Sequence, residues 1–181
     1  LDGTGNLVLH FKRVDAANDM RADLLLSIHH DSVPYKFLEE WEFEGKKSRF
    51  SDRFSGYSVF VSRSNPDFRT SFAFAELIGQ EMKAQGLDYA KQYSQPVMGR
   101  YQRELLNKET GVYRYDELIV LRKTQMAAVL LEAGSIINRD EELKMEFAKK
   151  RPYGKWIDEQ KLELSDLPPD HAELHYEPDT L

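Results

Sequence analysis

Two residues able to do acid–base or metal chemistry close apolar runs in this chain. His29 ends the run in "ADLLLSIHHDS" (residues 22–32), with His30 and Asp31 directly after it. Glu132 ends the run in "AAVLLEAGS" (residues 127–135). An imidazole and a carboxylate meeting in a cleft suit metal-assisted hydrolysis. The metal lowers the pKa of a bound water, and an uncoordinated glutamate takes the proton and passes it to the leaving group. Each residue also has a plainer reading. His29 would be a hydrogen-bonded histidine capping a strand, and Glu132 a surface carboxylate or the partner of Arg122 or Arg139.

Other candidates carry weaker chemistry. His10 stands alone, and His171 and His175 form "HAELH", a spacing that binds metal on a helix but sits here in an acidic stretch. Ser135 follows Glu132 without any pattern around it that marks a nucleophile. The absence of cysteine excludes disulfides, thiolate zinc sites and a cysteine nucleophile together. There is no phosphate loop, no dinucleotide glycine pattern and no nucleophile elbow.

Charge narrows the function further. The 181 residues carry a net charge of −6, but residues 158–181 alone hold eight acids against Lys161. The body is therefore close to neutral and lacks the basic field that nucleic acid or an anionic membrane requires. Residues 158–181 read as a flexible acidic tail, and 1–157 as one α/β domain. No apolar run approaches the roughly 20 residues of a membrane span, and no signal peptide is evident. Starting at Leu1, the chain reads as a processed or excised piece.

The elements that must position His29 and Glu132 follow from periodicity. Residues 1–8 read as a loop, with Gly3 and Gly5 as breakers, and Phe11–Met20 as a helix packed through Ala16 and Ala17. "ADLLLSIH" is too continuously apolar for a one-sided sheet and predicts a strand buried on both faces. Residues 33–55 hold five acids, five bases and six aromatics, and read as a long insertion with a helix over Tyr35–Phe43. "GYSVFVSR" alternates like a strand near a sheet edge. "NPDFRTSFAFAELIGQEMKAQG" predicts a helix packed through Phe74, Leu77, Ile78 and Met82 and stopped by Gly86. Residues 87–110 are polar and irregular. "YDELIVLRK" and "MAAVLLEAGS" predict two more strands, the second central, and Asn138 with Glu141 predicts a capped helix start. The sum is a three-layer α/β fold with a mostly parallel sheet. In such sheets ligands bind beyond the carboxyl ends of the strands, where His29 and Glu132 would emerge together.

"RVDAANDMRADLLLSIHHDS", "GYSVFVSR" and "YDELIVLRKTQMAAVLLEAGSIINR", in that order, resemble the zinc-dependent N-acetylmuramoyl-L-alanine amidases, over roughly residues 7–148. The most specific pieces are "ADLxxSIH" and "VLxEAGxxxN". The resemblance implies one zinc per complete domain and hydrolysis of the amide joining muramic acid to the L-alanine of the peptidoglycan stem peptide. It further implies a location in the periplasm or cell envelope. By motif, His29 would be a zinc ligand and Glu132 the catalytic glutamate polarising the zinc-bound water.

One departure stands out. The family's zinc is held by two histidines and a glutamate. The first histidine and the glutamate lie near the domain's N-terminus, in a "GHGG"-like loop and the helix after it. "LDGTGNLVLHFKR" matches only the segment beyond them, so the N-terminal strand and helix are expected to be missing and the fragment inactive. His10 is a poor substitute, too close to His29 in sequence and without a glycine-rich loop. In related amidases a segment near 33–55 covers the zinc until an activator protein removes it. Glu39, Glu40, Glu42 or Glu44 would be the blocking carboxylate here; the alternative is a substrate-wall loop, or one packed on the sheet by Phe37, Trp41 and Phe43. The remaining alternatives are a non-catalytic envelope-binding or scaffold protein that retains the fold, and another zinc peptidase of similar fold.

Overall fold

The computed structural model describes residues 4–43 and 45–141. The acidic tail, His171, His175, Gly3 and Glu44 lie outside the described residues, so the reading of residues 158–181 as a tail is not addressed. The elements run α1 (Thr4–Asp19), β1 (Leu24–Asp31), β2 (Glu39–Phe43), β3 (Lys46–Phe50), β4 (Ser58–Val61) and α2 (Phe68–Ala84). They continue with β5 (Leu105–Asn107), β6 (Val112–Arg114), α3 (Ile119–Lys123) and β7 (Ala127–Ser135). Among the described residues no helix is long and apolar enough to cross a membrane.

Five strands form one sheet in the order β1-β7-β4-β6-β5. The α/β fold is as expected, but the sheet is mixed. β1–β7 and β4–β6 are parallel, whereas β4–β7 and β5–β6 are antiparallel. β7 is interior, and its first five residues are all buried. β4 is also interior and wholly buried, not near an edge. Its alternation misled because the polar positions are not solvated. Ser58 and Ser62 are fully buried, and the Ser62 hydroxyl donates to Asp116 at 3.0 Å.

The sheet is sandwiched between two unlike layers. On one face α2 covers Val59, Val61, Val112, Val129 and Leu131. Asp67 caps its first turn by accepting from the Thr70 N–H, and Gly86 (φ +78°) ends it. Its inner stripe is small: Ser71, Ala75 and Gly79 are buried, and Phe74, Ile78 and Met82 flank them, while Leu77 faces outward. A Cβ at Gly79 would stand 2.1 Å from the Thr110 carbonyl oxygen, so the small stripe lets the helix approach the strand loops closely. On the other face Phe60, Tyr113, Ala128 and Leu130 pack with Tyr93, Tyr115 and Leu121. α1 and α3 continue this layer through Val14, Ile119 and Val120, which pack on Leu25.

Several expectations from the sequence give way here. α1 begins at Thr4, because a glycine in a first turn costs little. It packs through Val14 and Ala17, with Ala16 exposed. "ELIVLRK" contains a short helix, not a strand. Its four consecutive apolar residues run from Leu118 to Leu121, the last three buried, and such a run carries no period that separates the two. Most consequential, among the described residues β1 is an edge strand buried on one face only. Leu26 is 40% and Ile28 62% exposed, because α2 packs chiefly on β7, β4 and β6.

The expected helix over Tyr35–Phe43 is a 3-10 turn at Tyr35–Phe37 followed by the β2–β3 hairpin. Its register sets Glu40 opposite Arg49 and Glu42 opposite Lys47, with Trp41 on the intervening position. That is a period of two, carried by charges of opposite sign.

Candidate active site

β1 and β7 run parallel in unbroken register from Leu24↔Ala127 to His29↔Glu132. His29 and Glu132 are therefore neighbours across a strand pair, near the carboxyl ends of both strands. Directly paired residues share a face, and strand neighbours lie roughly 4.8 Å apart along the hydrogen-bonding direction. The row extends to Ser58, paired with Glu132 from the antiparallel side. This is the face of Leu25, Leu130 and Phe60, opposite to α2. Both His29 and Glu132 are half-buried. The two residues singled out for chemistry are thus brought together at one rim. His30 is exposed, as strand alternation requires.

Beyond His29 the register shifts, and Asp31 pairs with Ser135. The Ile136 N–H donates to the Asp31 carbonyl at 2.9 Å, keeping the strand end joined. The Asp31 side chain is only 8% exposed and accepts from the Tyr93 hydroxyl at 2.6 Å. Burial pushes its carboxyl up to about 6, against the lowering pull of Tyr93 and the Ser32 N–H, with Glu141 raising it slightly. Tyr93 is pushed well above the usual phenol range by burial first, then by the nearby Asp31 and Glu132 carboxylates. Its hydroxyl therefore stays a proton donor within the field of both acids. The ring is held by Phe60, perpendicular at 5.2 Å between centroids, and by Tyr113 at 5.8 Å.

Glu141 fastens the rim from the side. Asn138 accepts from the Glu141 N–H at 3.1 Å, as the expected helix cap requires. The Glu141 carboxylate, however, accepts from the N–H groups of Gly56 and Ser135, each at 2.6 Å. It links the entry of β4 to the exit of β7, on either side of Glu132. Arg139 meanwhile bonds Asp52 and lies over Phe50 at 3.9 Å and Trp41 at 5.1 Å. It is thus committed to the hairpin. Arg122 lies at the amino end of β7, away from Glu132.

Whether these residues fit a resident zinc follows from the donor set. Among the described residues no group of three or more His, Asp or Glu side chains is placed to hold a metal ion. His29 brings one imidazole, His10 does not complete a site, and neither do Glu39, Glu40 and Glu42. The described residues do not fit a complete zinc centre, and a single imidazole does not retain zinc tightly.

Residues 6–152 match the profile of a family described as N-acetylmuramoyl-L-alanine amidase. The chain belongs to that family. Among solved structures it is similar to the apo form of the N-acetylmuramyl-L-alanine amidase Ami1 from Mycobacterium abscessus. The identity is 21% over 80% of this chain and 53% of that one, with a TM-score of 0.53. It is also similar to Ami1 from Mycobacterium smegmatis, at 20% identity over 75% of this chain and 50% of that one, with a TM-score of 0.52. At such identities the likeness establishes the fold. The chain spans about half the length of these two amidases. No curated protein matches it. Within this amidase fold, Tyr93 and the carboxylate of Glu141 are the rim residues that sequence reasoning missed. Tyr93 lies in an aperiodic stretch, and Glu141 was legible only as a cap.

Proposed function

We propose that the chain forms part of the catalytic domain of a peptidoglycan amidase. The reaction is hydrolysis of the amide between N-acetylmuramic acid and the L-alanine of the stem peptide, in the cell envelope or periplasm. The observation that carries this reading is the His29↔Glu132 register at the strand ends of an amidase-family fold. Glu132 would take the proton of the attacking water and return it to the leaving amine. His29 would be one zinc ligand, contributed to a centre that the described residues do not complete. Tyr93, held protonated, would orient Asp31 beside the pair.

The chain as given is expected to hold little zinc after dialysis and to release negligible stem peptide from sacculi. Stoichiometric, tightly held zinc in the metal analysis would overturn the incomplete-ligand reading. In a version extended by its upstream coding sequence, zinc and activity should both appear. There Glu132→Gln should lower kcat by about 10²–10⁴-fold with zinc retained, whereas His29→Ala should lose the zinc.

The lack of a complete metal group among the described residues also favours a second reading, an envelope-binding scaffold that keeps the fold without hydrolysis. Upstream sequence without a glycine-flanked histidine and a following glutamate would decide for it. As to partners, Arg139 meets Asp52, Phe50 and Trp41 through a partly exposed contact beside the hairpin, which supports displacement by an activator protein. Deleting residues 35–50 from the extended enzyme should then raise hydrolysis of sacculi.

A further inference from the structure

Two cavities, of about 260 and 250 Å³, flank residues 88–91, and Asp88, Tyr89 and Lys91 line both. They adjoin as one groove that also takes in Arg53 on one side and Lys83, Lys108 and Glu109 on the other. Four cations thus line it against two acids. Glu109 is occupied by Lys83 at 3.2 Å. Arg53, Lys91 and Lys108 are exposed and make no ion pair among the described residues. The Tyr57 N–H donates to the Asp88 carbonyl at 3.1 Å, and the Ala90 N–H to the Tyr57 carbonyl at 2.7 Å. The backbone that carries Lys91 is therefore fixed to the entry of β4.

The point where the chain leaves the described residues names an occupant for this groove. The last of them, Glu141, accepts from the Gly56 N–H at 2.6 Å. Gly56 lies between Ser55, which lines the first cavity, and Tyr57, which lines the second. It is pressed against the groove wall, since a Cβ there would stand 2.6 Å from the Asp88 carbonyl oxygen. Residues 142–157 reach at most about 55 Å even when fully extended. The acidic segment 158–181, with eight acids against Lys161, is thereby tethered beside exposed cations. One exposed ion pair contributes little, but a short tether raises the effective concentration to the millimolar range, so several weak pairs suffice.

We propose that the acidic segment 158–181 seats on the basic groove of Arg53, Lys83, Lys91 and Lys108 in its own chain and masks it from other polyanions. The inference stands on charge and tether, and the amidase reading plays no part in it. The test is paramagnetic relaxation in the full chain, which has no cysteine, so that Ala172→Cys carries a single nitroxide. At low salt the amide signals of residues 83–91 and 108–110 should broaden at least about twofold more than those of 119–123. The difference should vanish at about 1 M salt, where the Debye length is about 3 Å. Lys91→Glu combined with Lys108→Glu should at least halve the broadening, whereas Lys123→Glu, at the amino end of β7, should leave it unchanged. Replacing the eight acids with their amides should abolish it and strengthen tripolyphosphate binding, read by calorimetry, about tenfold.

Broadening spread evenly over the surface, indifference to the double variant, or unchanged tripolyphosphate binding each overturns the proposal. So does broadening confined to residues 144–155, whose own lysines and arginine would then hold the acids. Mixing isotope-labelled chains with spin-labelled ones identifies the last competitor. Broadening that appears only between chains assigns the segment to a second copy and equally overturns it.

Discussion

The two segments that border the rim are attached in opposite ways. Residues 88–101 are tied in by buried, mostly backbone-directed bonds. The Ala90 N–H donates to the Tyr57 carbonyl at 2.7 Å, and the Tyr113 hydroxyl to the Ala90 carbonyl at 2.6 Å. Tyr93 bonds the buried Asp31, and Met98 is buried with Val33 and Phe54. The β2–β3 hairpin instead meets a charged contact near water at its open end. Arg139 bridges Asp52 and the Phe50 ring, and within the hairpin Glu40 meets Arg49 at 3.5 Å. Buried bonds of the first kind resist competition from solvent, whereas exposed ion pairs contribute little each. One border is thus tied into the sheet's framework by buried bonds, and the other is the more exposed to solvent competition.

Gly56→Ala gives the sharpest way to break the first border. Gly56 sits at φ +94°, and a Cβ there would stand 2.6 Å from the Asp88 carbonyl oxygen and 2.9 Å from the Ala90 nitrogen. Loss of about 4 kcal/mol or more is expected, since both the backbone angle and the contact oppose a side chain. Urea unfolding measures it, and near-wild-type stability would mean the 88–90 bridge is soft.

Asp31 comes next. In the metal-free protein its carboxyl, raised by burial from 3.8 to about 6, binds a proton in the folded state before it does in the unfolded one. Folding stability should therefore fall as pH rises from about 4 to 6 and then level off, by at most about 3 kcal/mol. Asp31→Asn, which keeps an acceptor for Tyr93, should flatten that slope and be the more stable protein at pH 7. An unchanged slope in chelator-treated samples would count against a buried carboxyl at this position.

A smaller effect is expected from Tyr113→Phe, which leaves the Ala90 carbonyl without its hydroxyl partner. The cost should be about 1–2 kcal/mol in the same unfolding assay. Smallest in global terms is Arg139→Ala, with little change in global stability, yet amide exchange across residues 39–50 should speed up while 88–101 stays protected. The Asp52 carboxyl is held below its ordinary range by hydrogen bonding to Arg139. The clasp should therefore persist above the usual carboxylate range and loosen only as acid titrates Asp52. Equal exchange in both borders would erase the distinction between them.

The sequence made some of this legible and hid the rest for physical reasons. His29 and Glu132 could be paired in advance because two apolar runs each end in one polar residue, and parallel strands set such ends side by side. α2 was readable from Asp67 to Gly86, but its packing stripe was not. Large residues suggested Leu77 inward, while close approach to the strand loops selects Ser71, Ala75 and Gly79 instead. "ELIVLRK" and residues 35–43 misled in opposite directions. In the first, tertiary burial makes a helix of a β-branched run. In the second, opposite charges hide a two-residue period under polar composition. Tyr93 could not be found at all, because its role depends on a 3-10 turn that carries Tyr93 to Asp31, 62 residues away in the chain.

The placement of β1 also has a consequence in time. Leu24 pairs with Ala127, about a hundred residues further along. At roughly 5–20 residues per second, a ribosome makes the β1 strand many seconds before the strand that will dock it exists. During that wait "ADLLLSI" lacks its β7 partner, and among the described residues β1 keeps one unpaired edge after docking. Slower synthesis should therefore lengthen the interval in which this strand can pair with another chain.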